Sequence, residues 1–148
     1  MTDPLTPPPR PLCTVGALVV NPQAEVLIVR TTKWCGTWGV PGGKLDWGES
    51  LEEALLREFR EEVALDLEQV RFALLQEAIL DPQFHVPAHF VLVNYYAFSA
   101  SSLVVPNEEI VEWAWVPPEQ ALTFPLNHFT ERLVSDCIER HIVADYCS

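Results

Sequence analysis

The sequence predicts an α+β fold, a sandwich in which a mixed β-sheet lies between helices. Three observations carry this. β-rich runs outnumber helical ones, strands and helices do not alternate as in a doubly wound parallel sheet, and both helical stretches are apolar along one face only. The 148 residues, 49% of them hydrophobic, are enough for about one well-buried domain.

Residues 1 to 11 carry Pro4, Pro7, Pro8, Pro9 and Pro11 and read as an extended tail. The same prolines interrupt the apolar stretch that a signal peptide needs. Residues 12–148 then form a single domain, with no internal repeat and no dividing linker. It begins with two β-rich runs, Cys13–Val20 and Glu25–Thr31, joined through Asn21-Pro22-Gln23-Ala24 as a hairpin. A Trp- and Gly-rich connector follows from Lys33 to Gly48. Ser50–Val63 is helical, because Leu51, Leu55, Phe59 and Val63 recur every fourth residue, and Ser50 with Glu53 has the spacing of a capping box. Val70–Ala78, His89–Phe98 and Ile110–Val116 are further strands, the last stopped by Pro117-Pro118. Asn127 to about Val143 is a second amphipathic helix, with Phe129, Leu133, Val134, Cys137, Ile138 and Ile142 on its apolar face.

The charge narrows the function. Nine Lys and Arg against twenty-one Asp and Glu leave a net charge of −12. Such a surface repels phosphate backbones and anionic lipids, which disfavours nucleic-acid coating and membrane binding. No apolar run approaches the roughly 20 residues of a membrane span. Cys13, Cys35, Cys137 and Cys147 are scattered and form no metal-type pair, as expected of thiols kept reduced in a cytoplasm. An anionic ligand would have to be held through something positive that the chain recruits. Eight of the acidic residues fall between Asp46 and Asp66, so a bound metal ion is the first candidate.

Those acids have a direction. At about 100° per residue, Glu58, Glu61 and Glu62 share a sector about 100° wide, and Glu62 falls within the angular range of the apolar stripe, with Glu58 at its edge. Partly buried like charges about 4 Å apart repel by about 4 kcal/mol near a protein surface, so the cluster needs a counterion. Arg57 supplies one positive charge, too little for three glutamates and Glu49, whereas Mg²⁺ takes oxygen ligands and keeps positions open for water and phosphate. Before the helix, Gly42 and Gly43 permit close backbone approach and offer carbonyl oxygens. A P-loop is excluded, because its spacing would require Gly at Trp38 and Ser or Thr at Leu45.

Gly43, five residues, Glu49, seven residues, then Arg57-Glu58-Phe59-Arg60-Glu61-Glu62-Val63-Ala64-Leu65 resembles the 23-residue signature of the Nudix hydrolases. Gly36-Thr37-Trp38-Gly39-Val40-Pro41-Gly42 is similar to the lead-in of its nucleotide-cleaving members. The family folds as an α/β/α sandwich. The resemblance implies hydrolysis of a pyrophosphate bond in a nucleoside diphosphate linked to another group, a nucleoside triphosphate or an ADP-ribose-like sugar, with Mg²⁺ or Mn²⁺. Glu58, Glu61, Glu62 and the Gly42 carbonyl would be metal ligands. Glu58 would also handle the attacking water, and Arg57 with Glu49 would hold the carboxylates in place. A further ligand is expected from Asn107–Trp113, with Glu112 the first choice and Glu109 the second. Lys44, Trp34 and Trp38 are the candidates for substrate contact, with Phe84, His85 and His89 on a later loop. Trp113 and Trp115 are expected in the sheet. Pro82 lies seventeen residues beyond Leu65, at about the distance where cleavers of ADP-ribose or dinucleoside polyphosphates carry Pro or Tyr. Many relatives pair through sheet edges or helices, so a homodimer is compatible with the resemblance. The alternatives are a nucleotide-sensing module that does not cleave and a hydrolase of RNA 5′ ends. The intact acids oppose the first, and the net charge opposes the second.

One position departs from the signature, which has Gly where this chain has Ala64. If the helix exit needs a positive φ there, Ala costs on the order of 1 kcal/mol.

Overall fold

The computed structural model describes residues 9–147, so most of the expected 1–11 tail lies outside the described residues. In chain order the elements are β1 (Leu12–Val20), β2 (Val26–Thr31), β3 (Trp38–Gly39), β4 (Gly42–Lys44), α1 (Leu51–Val63), β5 (Glu68–Ile79), β6 (His89–Phe98), β7 (Ile110–Val116), α2 (Pro118–Ala121), α3 (His128–Glu139) and α4 (Ile142–Cys147).

The sheet runs β3-β2-β1-β6-β5, with β4 also on β1 and β7 also on β2. Among the described strands only β1 and β6 pair in parallel, in register from Leu12↔Phe90 to Val20↔Phe98. The predicted mixed sheet is therefore present. The hairpin expectation holds only at its tip, since β1 and β2 pair solely through Val20↔Val26. They then diverge, β1 taking β4 and β6 as neighbours and β2 taking β3 and β7. The divergence opens the space in which the site lies.

Alternation along the strands makes two cores. Val15, Ala17 and Val19 of β1 and Leu27 and Val29 of β2 meet Ala54, Leu55, Phe59 and Val63 of α1. Leu18, Val20, Val26 and Ile28 turn the other way, to Leu133, Val134 and Cys137 of α3 and Ile142 of α4. A strand buried on both faces reads as a continuous apolar run, as Val15–Val20 does apart from Gly16.

The ends of α1 follow local chemistry. The Ser50 hydroxyl accepts a hydrogen bond from the Glu53 N–H at 3.1 Å. At the other end Ala64 takes φ 56°, ψ 39°, and its N–H and that of Leu65 turn back to the Phe59 carbonyl. The positive φ that its position in the signature anticipates is thus real, and it swings Leu65 into the core at 1% exposure. The second helix is not continuous as expected. It breaks at Arg140-His141, where His141 takes φ 54°, and resumes as α4. The connector likewise contains two short strands that no periodicity announced. Among the described residues no helix is long and apolar enough to cross a membrane, and Cys13, Cys35, Cys137 and Cys147 are free.

Candidate active site

Arg57 organises the acids on α1. Its Nε and Nη2 donate to the two oxygens of Glu49 at 2.7 and 2.9 Å, its Nη1 donates to Glu58 at 3.0 Å and Glu61 at 3.2 Å, and Nη2 also reaches the Lys44 carbonyl at 3.1 Å. All five guanidinium hydrogens are thereby engaged, which fixes three carboxylates and the end of β4 in one frame. Glu49 in turn accepts from the Asp46 N–H at 3.0 Å. These bonds, the Arg57 bond first, hold the Glu49 carboxyl down at about 2. The Arg57 pKa is raised, chiefly by Glu49.

Glu62 lies on the buried side, 5% exposed, as its angular position predicted. Its Oε2 accepts from the Gly42 N–H at 2.8 Å, so the diglycine meets this carboxylate through an amide donor. Gly43 is required for Glu58, because a Cβ there would stand 2.6 Å from the Glu58 carboxyl. At Gly42 a Cβ would collide with the Val15 carbonyl.

The acid that completes the cluster is Glu109, the second choice. The segment before β7 is tied to the end of α1 by the Val105 N–H to the Val63 carbonyl at 3.1 Å and the Asn107 N–H to the Glu62 carbonyl at 2.9 Å. The Asn107 side chain then accepts the Glu109 N–H at 3.0 Å. Glu109 is thus delivered to the neighbourhood of Glu62. Burial, then Glu109, pushes the Glu62 carboxyl up. Lys33, 2.9 Å from Glu109, holds that carboxyl down. Glu112, the first choice, instead pairs with Arg30 at 2.9 Å on the exposed side of β7 and does not line the cavity. Glu109 belongs to the turn before β7, whereas Glu112 lies within the strand opposite Arg30, beyond a register shift.

Beside the acids opens a cavity of about 330 Å³. Glu58, Glu109, Lys33, Lys44 and Gly42-Gly43 are at one part of its lining, and Trp34, Phe84, Phe90 and Phe129 form an aromatic wall. Trp34 stands edge-on to Phe84 at 4.8 Å and to Phe129 at 5.9 Å, and Phe84 to Phe90 at 4.9 Å. Lys44, Trp34 and Phe84 therefore reach the cavity as expected. Trp38 does not; it is 8% exposed and packs on Phe124 at 5.0 Å. His85 and His89 are also outside the lining, and Trp113 and Trp115 are in β7. Sequence reasoning missed Lys33, Asn94, Asn127 and Thr130, all of which line the cavity. Only Asn127, at a helix start, carried a local signal, and that signal was for a cap.

The NUDIX domain model matches residues 11–137. The chain belongs to the Nudix family. It is accordingly a pyrophosphohydrolase. Among curated relatives, it is 31% identical over 103 residues to the nucleoside triphosphatase NudI of Escherichia coli, covering 66% of this chain and 73% of that one. It is 39% identical over 77 residues to the 8-oxo-dGDP phosphatase NUDT18 of Danio rerio, covering 51% of this chain but only 24% of that protein. Among solved structures, the MutT NUDIX hydrolase of Burkholderia pseudomallei superposes with a TM-score of 0.74 at 27% identity, covering 86% of this chain and 98% of that chain. The NUDIX domain of Shewanella oneidensis NrtR, complexed with ADP ribose, gives 0.74 at 26% identity, covering 94% and 93%. The α/β/α sandwich is the fold of these Nudix structures.

Proposed function

We propose that this Nudix chain hydrolyses the pyrophosphate bond of a nucleoside diphosphate linked to a further group, with a nucleoside triphosphate or an ADP-ribose-like nucleotide sugar as substrate, in the presence of Mg²⁺ or Mn²⁺. The observation that carries this is the meeting of Glu58 and Glu109 in the lining of an aromatic-walled cavity, with the buried Glu62 held beside them by the Gly42 N–H. Crowded, partly buried carboxylates repel one another, which is an arrangement that a hard cation would relieve while bringing phosphate oxygens with it.

The donor set fits such a cation in kind: carboxylates of Glu58, Glu61, Glu62 and Glu109 and the Gly42 carbonyl, all hard oxygens. Among the described residues no three His, Cys, Asp or Glu side chains yet converge on one point at ligand spacing. Arg57 holds Glu61, and Glu62 is engaged by the Gly42 N–H, so a cation would have to draw these oxygens inward. Bound there, a divalent cation would offset the diphosphate charge and make a water easier to deprotonate.

The chain's own residues do the rest. Glu58 accepts the proton of the attacking water; burial raises its pKa despite Arg57, which favours a base over an inert anion. Arg57 and Glu49 position Glu58 and Glu61. Lys44 and Lys33 attract phosphate at the cavity, and Trp34 with Phe84 packs the organic part of the nucleotide.

The test is a hydrolysis screen over nucleoside triphosphates and nucleoside diphosphate sugars, with Mg²⁺, Mn²⁺ or a chelator. Metal-dependent turnover, abolished in Glu61→Gln, Glu62→Gln, is expected. Full activity of that double variant would sink the mechanism, and tight nucleotide binding without turnover would favour a sensing role.

A further inference from the structure

The loop between β5 and β6 supplies Phe84 to the cavity, and one residue of that loop gives it its shape. The Leu80 N–H donates to the Ala88 carbonyl at 2.8 Å and closes the base of the loop. Inside it, Asp81 sets the turn twice over: its carbonyl accepts the Phe84 N–H at 3.1 Å, and its Oδ1 accepts the Gln83 N–H at 2.9 Å. The second carboxyl oxygen leaves the loop. Oδ2 lies 2.6 Å from Nε2 of His128, the first residue of α3, and since a carboxylate accepts, that ring nitrogen carries the hydrogen. His128 holds the loop again through its backbone N–H, which donates to Gln83 Oε1 at 3.2 Å. On the far side the His85 N–H donates to the Lys33 carbonyl at 2.8 Å and ties the loop to the 3-10 turn that carries Trp34.

These bonds converge on the aromatic wall. Phe84 from the loop and Phe129 from α3 both stand edge-on to Trp34, at 4.8 and 5.9 Å, and the His128 ring packs on Phe129 at 4.4 Å. The Asp81 side chain is 12% exposed, so little water competes for its oxygens. Neither Asp81 nor His128 is in the cavity lining, so their effect on a bound nucleotide has to pass through the rings they seat. Resting on the reading that Trp34 and Phe84 pack the organic part of the nucleotide, we infer that Asp81 and His128 are positioning residues for substrate binding. Their pair latches the β5–β6 loop onto α3 and holds Phe84 against Trp34. A ring seated in advance costs no ordering when the nucleotide enters, whereas a loop that must find its place on binding does. The latch therefore acts on nucleotide affinity through Phe84.

The test is equilibrium binding of AMP, GMP, UMP and CMP by calorimetry without metal, so that turnover plays no part, with the tightest of the four as the probe. His128→Ala cuts the latch and leaves the Asp81 turn and the α3 N–H in place. It should weaken binding of the probe about three- to tenfold, part of what a whole aromatic–base contact contributes. His128→Gln sets an amide N–H where Nε2 stood and should return the affinity to within about twofold of wild type. Phe84→Ala should also weaken binding, and adding His128→Ala to it should cost at most about a further twofold, because residues that act through one another are not additive. A pair that only stabilised the loop would lower Tm and leave the affinities unchanged. Wild-type affinity in His128→Ala or in Phe84→Ala, no recovery in His128→Gln, losses that add in the double variant, or no binding of any of the four nucleotides at millimolar concentration overturns the inference. Because metal-dependent hydrolysis is scored separately, a failure here leaves the proposed reaction standing, and a latch effect without hydrolysis does the reverse.

Discussion

Arg57 grips Glu49 through two parallel hydrogen bonds, Nε to Oε2 at 2.7 Å and Nη2 to Oε1 at 2.9 Å, and uses its remaining hydrogens on Glu58, Glu61 and Lys44. The planar fork matters more than the charge. A lysine offers three donors on a flexible stem and cannot hold Glu49 on two oxygens while orienting Glu58. Arg57→Lys should keep the fold, seen as an unchanged far-UV circular dichroism spectrum, while kcat falls about 10- to 100-fold, the usual effect of losing a partner that orients ligands. An Arg57→Lys enzyme with wild-type kcat would show that charge alone suffices.

The same pair predicts a pH dependence of stability. Hydrogen bonds from Arg57 and the Asp46 amide lower the Glu49 pKa from 4.5 to about 2 in the folded state. A folded pKa below the unfolded one stabilises the protein above the unfolded value, and the contribution is lost as pH falls through the folded value. The difference in thermal midpoint between wild type and Glu49→Gln should therefore be largest near neutrality and shrink from about pH 4.5 to about pH 2. A gap that stays constant over that range would mean Glu49 acts without its charge.

Ala64 occupies the left-handed region at φ 56°. A left-handed residue with a Cβ is strained by about 1–2 kcal/mol, and glycine returns part of that as extra freedom of the unfolded chain. Ala64→Gly should therefore stabilise the protein by about 0.5–1 kcal/mol, a rise of about 1–4 °C in Tm for a chain of this size. A lower Tm would show that the Ala64 methyl makes packing contacts worth more than the strain.

What the sequence made legible was whatever depends on near neighbours. Leu51, Leu55, Phe59 and Val63 are four apart and announce α1, and the same geometry places Glu62 on its buried side; both features are in the structure. The two-sided burial of Val15–Val20 likewise follows from an apolar run. What stayed hidden depends on chain crossings. β3 and β4 are two and three residues long and exist because β2 and β1 offer them edges. Asn94 meets Gln76 only through the pairing of β5 and β6, and Gln76 meets the Phe129 carbonyl only once α3 packs over the sheet. No window of sequence contains all three. Trp38 stands in the same connector as Trp34, and the sequence offers both as substrate contacts, but the two diverge. Trp38 pairs with Arg30 in the sheet and faces the α3 core, whereas Trp34, in the preceding 3-10 turn, meets the cavity.

The choice between Glu109 and Glu112 gives the last prediction. Both are acids near the start of β7, and composition cannot separate them. The backbone can: Asn107 is anchored to the Glu62 carbonyl and accepts the Glu109 N–H, so Glu109 is placed against Glu62, while Glu112 faces Arg30 in the register of β2 with β7. An exposed pair such as Arg30–Glu112 is worth about 0–1 kcal/mol and touches no reacting group. Glu112→Gln should therefore leave kcat/KM unchanged and lower Tm slightly at most. Glu109→Gln keeps a hydrogen-bonding group beside Glu62 but removes the anion that Lys33 and a cation would share. Activity should fall about 10- to 100-fold, with a raised requirement for Mg²⁺. Metal titrations of the two variants under one buffer separate the assignments: if Glu112→Gln shifts the Mg²⁺ dependence and Glu109→Gln does not, the acid delivered by the Asn107 turn is not the one the reaction uses.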